Sequence, residues 1–110
     1  MTTKRMTEDT EIFSGLIRIH VLHHACAEGV FGLGMINELG RHGYKIGPGT
    51  MYPLLHSMER RGWLRSSDTY VDGRKRKVYF GTRAGKKTLE QARAKIRELF
   101  EELFEDGASS

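Results

Sequence analysis

After Gly62 the apolar spacing of this chain changes from about 3.6 residues, the period of a helix, to about 2, that of a strand. This switch constrains the fold more than any other feature, because it separates a helical part from a hairpin. Trp63-Leu64-Arg65-Ser66 leads into TYVDGRKRKVYFG, where Tyr70 and Val78, Tyr79 and Phe80 flank Asp72-Gly73. Asp-Gly between β-prone residues is a strong hairpin signal. Four consecutive basic residues, Arg74, Lys75, Arg76 and Lys77, run from the hairpin tip into its return strand.

Upstream, three helices are predicted. The first starts near Glu8, with acidic residues suited to the dipole in its first turn, and carries Ile12, Leu16, Ile19, Leu22 and Cys26 at spacings of three and four. Glu28-Gly29 ends it. The second covers about Phe31 to Arg41, with Gly32, Met35, Ile36 and Leu39 on one face and His42-Gly43 as its stop. The third, in GPGTMYPLLHSMERRGW, has Gly47 as N-cap and Pro48 as first helical residue, and places Met51, Leu54, Leu55 and Met58 toward the core. Pro53 cannot donate to the Gly49 carbonyl, so either the first turn is irregular or the helix begins at Thr50. Both versions leave Thr50, Tyr52, Pro53, His56 and Arg60 pointing away from the apolar stripe. Thr82 caps a final helix to about Glu105, on which Leu89, Ala92, Ile96, Leu99 and Leu103 alternate spacings of three and four, widened by Phe100 and Phe104. That is about two heptads, enough for a helix packed on a partner.

Charge distribution points to the same middle region. Residues 1–40 carry 3 Lys/Arg against 5 Asp/Glu, residues 41–81 carry 9 against 3, and residues 82–110 carry 6 against 6. The net charge of +4 therefore rests on the middle third, as a polyanion-binding face requires. At 38% hydrophobic and 29% charged, the 110 residues suit one soluble domain. No apolar run approaches the roughly 20 residues of a membrane span. IFSGLIRIHVLHHACA, preceded by acidic residues, does not read as a signal peptide. A single cysteine fits a reducing cytoplasm.

Three helices, a basic two-stranded hairpin and a long helix compose a mainly α fold with a small β-hairpin, the winged helix-turn-helix. Residues 1–7 are expected as a flexible tail, 8–81 as the DNA-binding domain and 82–110 as a dimerisation helix with its tail. The third helix is predicted to enter the major groove of double-stranded DNA while the wing reaches the neighbouring backbone. The wing tip reads either as a phosphate contact, which gains affinity by releasing condensed counterions, or as a solvated basic turn. Tyr52 reads either as a phosphate donor or as a half-buried ring. Arg60 and Arg61 read either as backbone contacts or as complements to their helix C-terminus.

GTMYPLLHSMERRGWL closely resembles the GTLYPLLxRLExxGLI signature of the PadR family of transcriptional regulators, and RKRKVYFGTRAG resembles that family's rrKyYrLTxxG segment after the wing. The resemblance spans about Val21 to Gly85 and implies a dimeric DNA-binding protein, usually a repressor, of the short subfamily with one C-terminal helix. Gly49, Thr50, Tyr52 and Pro53 match the start of the motif, where the tyrosine hydroxyl and helix start face phosphates. Leu54, Leu55 and Met58 match core positions, Gly62 the turn into the wing, Tyr79 a wing tyrosine and Thr82 the last helix cap. His56 sits at a variable exposed position and is the candidate for base contact. Arg60, Arg74, Lys75, Arg76 and Lys77 complete the candidate DNA-binding set. The family's dimer mode implies a seam of Ile12, Leu16 and Ile19 against the partner's Leu89, Ala92, Ile96, Leu99, Phe100 and Leu103. Departures are Phe31-Gly32-Leu33 in place of His-Gly-Tyr, Gly81 in place of the leucine before the capping threonine, and Gly47 in place of a serine.

Phe13, Trp63 and Phe100 could line an effector pocket for a small aromatic ligand, as in some relatives, or be plain core and interface aromatics. His20, His23 and His24 share a helix but lack a third ligand nearby in sequence, so neither metal nor cofactor is expected. There is no phosphate loop and no nucleophile elbow, which argues against an enzyme. The expectation is a homodimeric regulator on a pseudo-palindromic operator, with release by a small planar ligand as a further possibility. Its rivals are a protein-interaction winged helix and an architectural protein that binds DNA without sequence preference.

Overall fold

The computed structural model describes residues 2–105, with the backbone alone for residues 2–10 and for Val71. Its elements are α1 (Thr2–Ala27), α2 (Gly32–Arg41), α3 (Pro48–Arg60), β1 (Leu64–Val71), β2 (Arg74–Gly81) and α4 (Arg83–Phe104). Met1 and residues 106–110, the end of the expected C-terminal tail, lie outside the described residues.

α1 begins at Thr2 rather than near Glu8, so helical backbone extends through the segment read as a tail. Residues 2–11 contain no Gly or Pro to interrupt it. Glu8, Asp9 and Glu11 consequently lie inside the helix and not in its first turn. The stripe that α1 buries also differs from the predicted one. Ile17, Val21, Leu22 and Ala25 face the core, Ile19 and Cys26 are half-buried, and Ile12 and Leu16 are exposed. The helix is apolar on two faces, so spacing alone could not say which of them turns inward.

The core draws Met35 and Leu39 from α2, and Met51, Leu54, Leu55 and Met58 from α3. Those four α3 residues are the ones its period predicts. α3 starts at Pro48 behind an extended Gly47, which settles the question of its first turn: Pro53 lies within the helix and leaves the Gly49 carbonyl without its usual donor.

β1 and β2 pair antiparallel from Leu64↔Gly81 to Val71↔Arg74. At the tip, Asp72 and Gly73 have φ of 53° and 78°. Two consecutive left-handed residues are what a type I′ hairpin turn requires, and Asp-Gly supplies them at low cost. The free edge of β2 takes one further partner. Val30 N–H donates to the Tyr79 carbonyl at 2.9 Å and Tyr79 N–H donates back at 2.7 Å. This one-residue bridge, too short to leave a period in the sequence, ties the α1–α2 link to the wing.

Thr82 caps α4, its Oγ1 accepting from Gly85 N–H at 2.9 Å and donating to the Gly62 carbonyl. The cap therefore joins α4 to the turn that ends α3. Leu89 is buried in the core of its own chain, a correction to its place in the expected dimer seam: it attaches α4 to the domain. Ala92 is half-buried, whereas Ile96, Leu99, Phe100, Leu103 and Phe104 are exposed. Among the described residues, no helix is long and apolar enough to cross a membrane.

Candidate nucleic-acid interface

Opposite its four core residues, α3 exposes Gly49, Thr50, Tyr52, Pro53, His56 and Arg60. The placement follows from the helical period: the apolar stripe anchors one side, and every sequence-predicted contact on α3 falls on the other. Neither α2 nor α3 has a side-chain cap, since Phe31 and Gly47 hold the N-cap positions without side-chain hydrogen bonds. The amides of Gly32, Leu33 and Gly34 in α2 therefore keep donor capacity at the positive end of the helix dipole, whereas in α3 Pro48 has no N–H and Thr50 donates to the Gly47 carbonyl, which leaves the Gly49 amide.

The wing stands beside this surface. A cleft of about 290 Å³ is lined by Tyr52 and His56 of α3, by Phe31 and Gly32 at the start of α2, and by Lys75, Arg76, Lys77 and Tyr79 of β2. Five of the predicted DNA-binding residues thus share one concavity. Gly49, Thr50 and Pro53 border a second cleft of about 340 Å³ on the other flank of α3, where Arg18 of α1 joins them. Arg60 and Arg74 line neither cleft. Arg60 sits exposed in the last turn of α3, and Arg74 sits exposed at the wing tip.

The angle between wing and helix is held by specific contacts. Ser66 on β1 donates to Glu59 of α3 at 2.7 Å. The Tyr79 side chain is buried at the back of the cleft. Burial first, then the Glu59 carboxylate and Tyr52, push its phenol pKa up, so its proton is kept. Lys75 lies 3.5 Å from Asp68 with both groups more than half exposed. Such a pair is weak, so Lys75 can exchange it for a phosphate.

Two of the arginines considered for DNA contact stack on aromatic rings. Arg61, left open between two roles in the sequence, stacks over Trp63 at 5.2 Å. Arg76 is half-buried, with its guanidinium 4.9 Å above the Phe31 ring. Sequence reasoning missed Phe31 and Arg18. The nearest signal for Phe31 was a pair of glycines, Gly32 and Gly34, at the start of a helix, where glycine is unfavourable unless something packs closely.

The histidines form a network whose other members were also missed. His20 stacks on His42 at 4.8 Å, and Glu38 lies 3.1 Å from His42 Nε2 and 3.6 Å from His24 Nε2. Arg41 adds a contact to Glu38 at 3.0 Å. Among the described residues, no group of three or more His, Cys, Asp or Glu is arranged to hold a metal ion. The three aromatic residues named for an effector have separate partners: Phe13 packs on Tyr44, Trp63 under Arg61, and Phe100 on Phe104.

Residues 21–91 match the transcriptional regulator PadR-like family. A Mycobacterium tuberculosis (strain ATCC 25618 / H37Rv) protein named transcriptional regulator Rv3488 is 46% identical over 88 residues, spanning 80% of this chain and 82% of that one. The crystal structure of a PadR family transcriptional regulator from Eggerthella lenta DSM 2243 superimposes with a TM-score of 0.73 at 27% identity, covering 88% of this chain and 86% of that one. A Streptococcus transcriptional regulator superimposes with a TM-score of 0.79 over 92% of this chain and 99% of its own, at 22% identity, a likeness of fold alone. Helix order, basic wing and matched span agree: the chain belongs to the PadR-like family of transcriptional regulators, DNA-binding proteins and not enzymes.

Proposed function

We propose that the chain is a cytoplasmic repressor that binds, as a homodimer, a pseudo-palindromic operator near its own or a neighbouring gene. The observation that carries this reading is the shared cleft, in which Tyr52 and His56 of α3 confront Lys75 and Lys77 of the wing. A helix inserted in a major groove by its exposed face brings such a cleft onto the flanking phosphates. His56 reads base edges there, Tyr52 donates to a phosphate, and the start of α3 meets the backbone through the Gly49 amide and the Thr50 hydroxyl. Pro53, Arg60 and Arg74 border the contact. Two copies of α3 related by two-fold symmetry read half-sites about one helical turn apart.

The test is binding of the purified protein to its own upstream region and to a scrambled duplex of equal length, at two salt concentrations. Tight, salt-sensitive binding to the first alone supports a specific regulator. Equal binding to both supports an architectural role, and no binding at low salt supports a protein-interaction module. Release by a planar ligand seated among Phe13, Trp63 and Phe100 of two protomers is part of the same reading. Quenching of the single tryptophan by a panel of planar compounds measures it, and flat titrations throughout would remove it.

A further inference from the structure

The four basic residues of the wing look equivalent in sequence, and the structure separates them. We infer that Arg76 is a positioning residue, one that stacks on Phe31 to hold the wing against the start of α2, while Lys75 and Lys77 make the phosphate contacts. The inference rests on the DNA-binding reading and assigns roles within it.

Three observations carry it. The Arg76 guanidinium lies 4.9 Å from the centre of the Phe31 ring, inside the range in which a cation is attracted to an aromatic face. Its Nε is buried and has no hydrogen-bond partner. An N–H in that state costs free energy, which the packing of the guanidinium on the ring offsets, so this part of the side chain lies against the protein. The ring itself is seated on α2, where a Cβ added at Gly34 would come within 3.1 Å of its outer carbon. A side chain at that position would need the ring to give by a few tenths of an ångström, so the glycine leaves room for the seat.

Strand geometry completes the argument. Successive residues on β2 leave by opposite faces, so Lys75 and Lys77 share the face of Tyr79, which is turned toward Glu59 and Tyr52 of α3, while Arg76 leaves by the other. All three basic side chains line the cleft that Tyr52 and His56 share, but the two lysines are exposed where Arg76 is half-buried. A backbone phosphate entering there meets two ammonium groups from the wing and a phenol from α3. The Arg76–Phe31 stack sets the distance between the two sides before DNA arrives.

The test compares the salt dependence of binding for the unchanged chain, Lys75→Ala, Lys77→Ala, Arg76→Met, Phe31→Leu, Phe31→Trp and the Arg76→Met/Phe31→Leu double variant. A random-sequence duplex suffices, because phosphate contacts carry no sequence information. Each lysine variant is expected to flatten the slope of log K against log salt by about 0.9. Arg76→Met and Phe31→Leu are each expected to weaken binding about two- to tenfold with less than half that change in slope, and the double variant no further than either. Phe31→Trp, which keeps an aromatic face, is expected to restore binding. An Arg76→Met slope change equal to that of Lys77→Ala, with Phe31→Leu silent, would overturn the inference and make Arg76 a direct contact. If the unchanged chain binds no duplex at low salt, the DNA reading fails. Thermal melts of the same cycle then still decide the stack, and additive losses would reject it.

Discussion

Gly32 decides where Tyr52 can lie. A Cβ at this position would come 2.6 Å from the Tyr52 hydroxyl oxygen and closer still to the ring. The obstacle is the outer end of a side chain that is 39% exposed, so the ring would swing aside while the backbone stays in place. Alanine is also the better helix former by up to about 1 kcal/mol. Gly32→Ala is therefore expected to melt at or slightly above the temperature of the unchanged chain, yet to bind DNA more weakly. Tyr52→Phe, which removes the hydroxyl alone, is expected to lose about fivefold in affinity, the equivalent of one hydrogen bond of about 1 kcal/mol. Filter binding of both variants beside their melting curves tests this, and normal affinity in Gly32→Ala would show that the ring position is immaterial. Tyr52, His56 and the wing lysines were legible from sequence because an amphipathic period assigns polar residues to the outside. Arg76 was not, since strand alternation leaves open which face turns inward and Phe31 lies on a different element.

At the scale of elements, α4 depends on a small number of contacts at its start. A Cβ at Gly85 would collide with the backbone carbonyl of Trp63, an atom that cannot swing aside. Gly85→Ala is expected to destabilise the fold by about 1–3 kcal/mol, as overpacking does, and Thr82→Ala by about 1 kcal/mol through loss of the cap. Denaturant midpoints give both values, and an unchanged midpoint in Gly85→Ala would mean that α4 can shift at no cost. The order of elements was readable because each has a distinct period and Asp72-Gly73 has one preferred turn. The Val30–Tyr79 bridge and the inward face of α1 were not, because tertiary packing chose them. The same holds for the junction of α1 and α2, where His20 meets His42 and both His24 and His42 meet Glu38. Burial first, then His42 and His24, hold His20 below its ordinary pKa of 6.5, against the opposing pull of Glu38. The His42 hydrogen bond first, then Arg41, hold Glu38 below its ordinary 4.5. In both cases the unfolded chain binds protons more readily, so stability rises with pH through the window. The contribution is complete above the ordinary value and is lost as pH falls: below about 6.5 for His20, and below about 4.5 for Glu38. Melting temperature is expected to fall in two stages on acidification, and His20→Gln to remove the first. An identical decline near pH 6 in that variant would place the proton uptake elsewhere.

As a whole, the chain is more extended than its length requires. Its radius of gyration is 15.7 Å, whereas a compact domain of 110 residues has about 13 Å. The excess accompanies two apolar surfaces that stay exposed among the described residues. One is Ile12, Phe13 and Leu16 on α1, and the other is Ile96, Leu99, Phe100, Leu103 and Phe104 on α4. Contiguous apolar surface of this kind on a small soluble domain marks a site of association. In the proposed dimer each surface covers its counterpart on the second copy, which also sets the spacing of the two recognition helices. Leu99 is 52% exposed and outside its own chain's core, so Leu99→Glu removes no internal packing. The variant is expected to keep its helicity and melt cooperatively, while sedimentation equilibrium returns half the mass found for the unchanged chain. Its affinity for a two-half-site operator should fall by about 10²-fold or more, because two linked binding events become independent ones. An unchanged chain that sediments as a monomer would remove the dimer altogether. A Leu99→Glu variant that stays dimeric would instead move the seam off α4, and the geometry of the operator would then have to be set by some other pairing of the two winged helices.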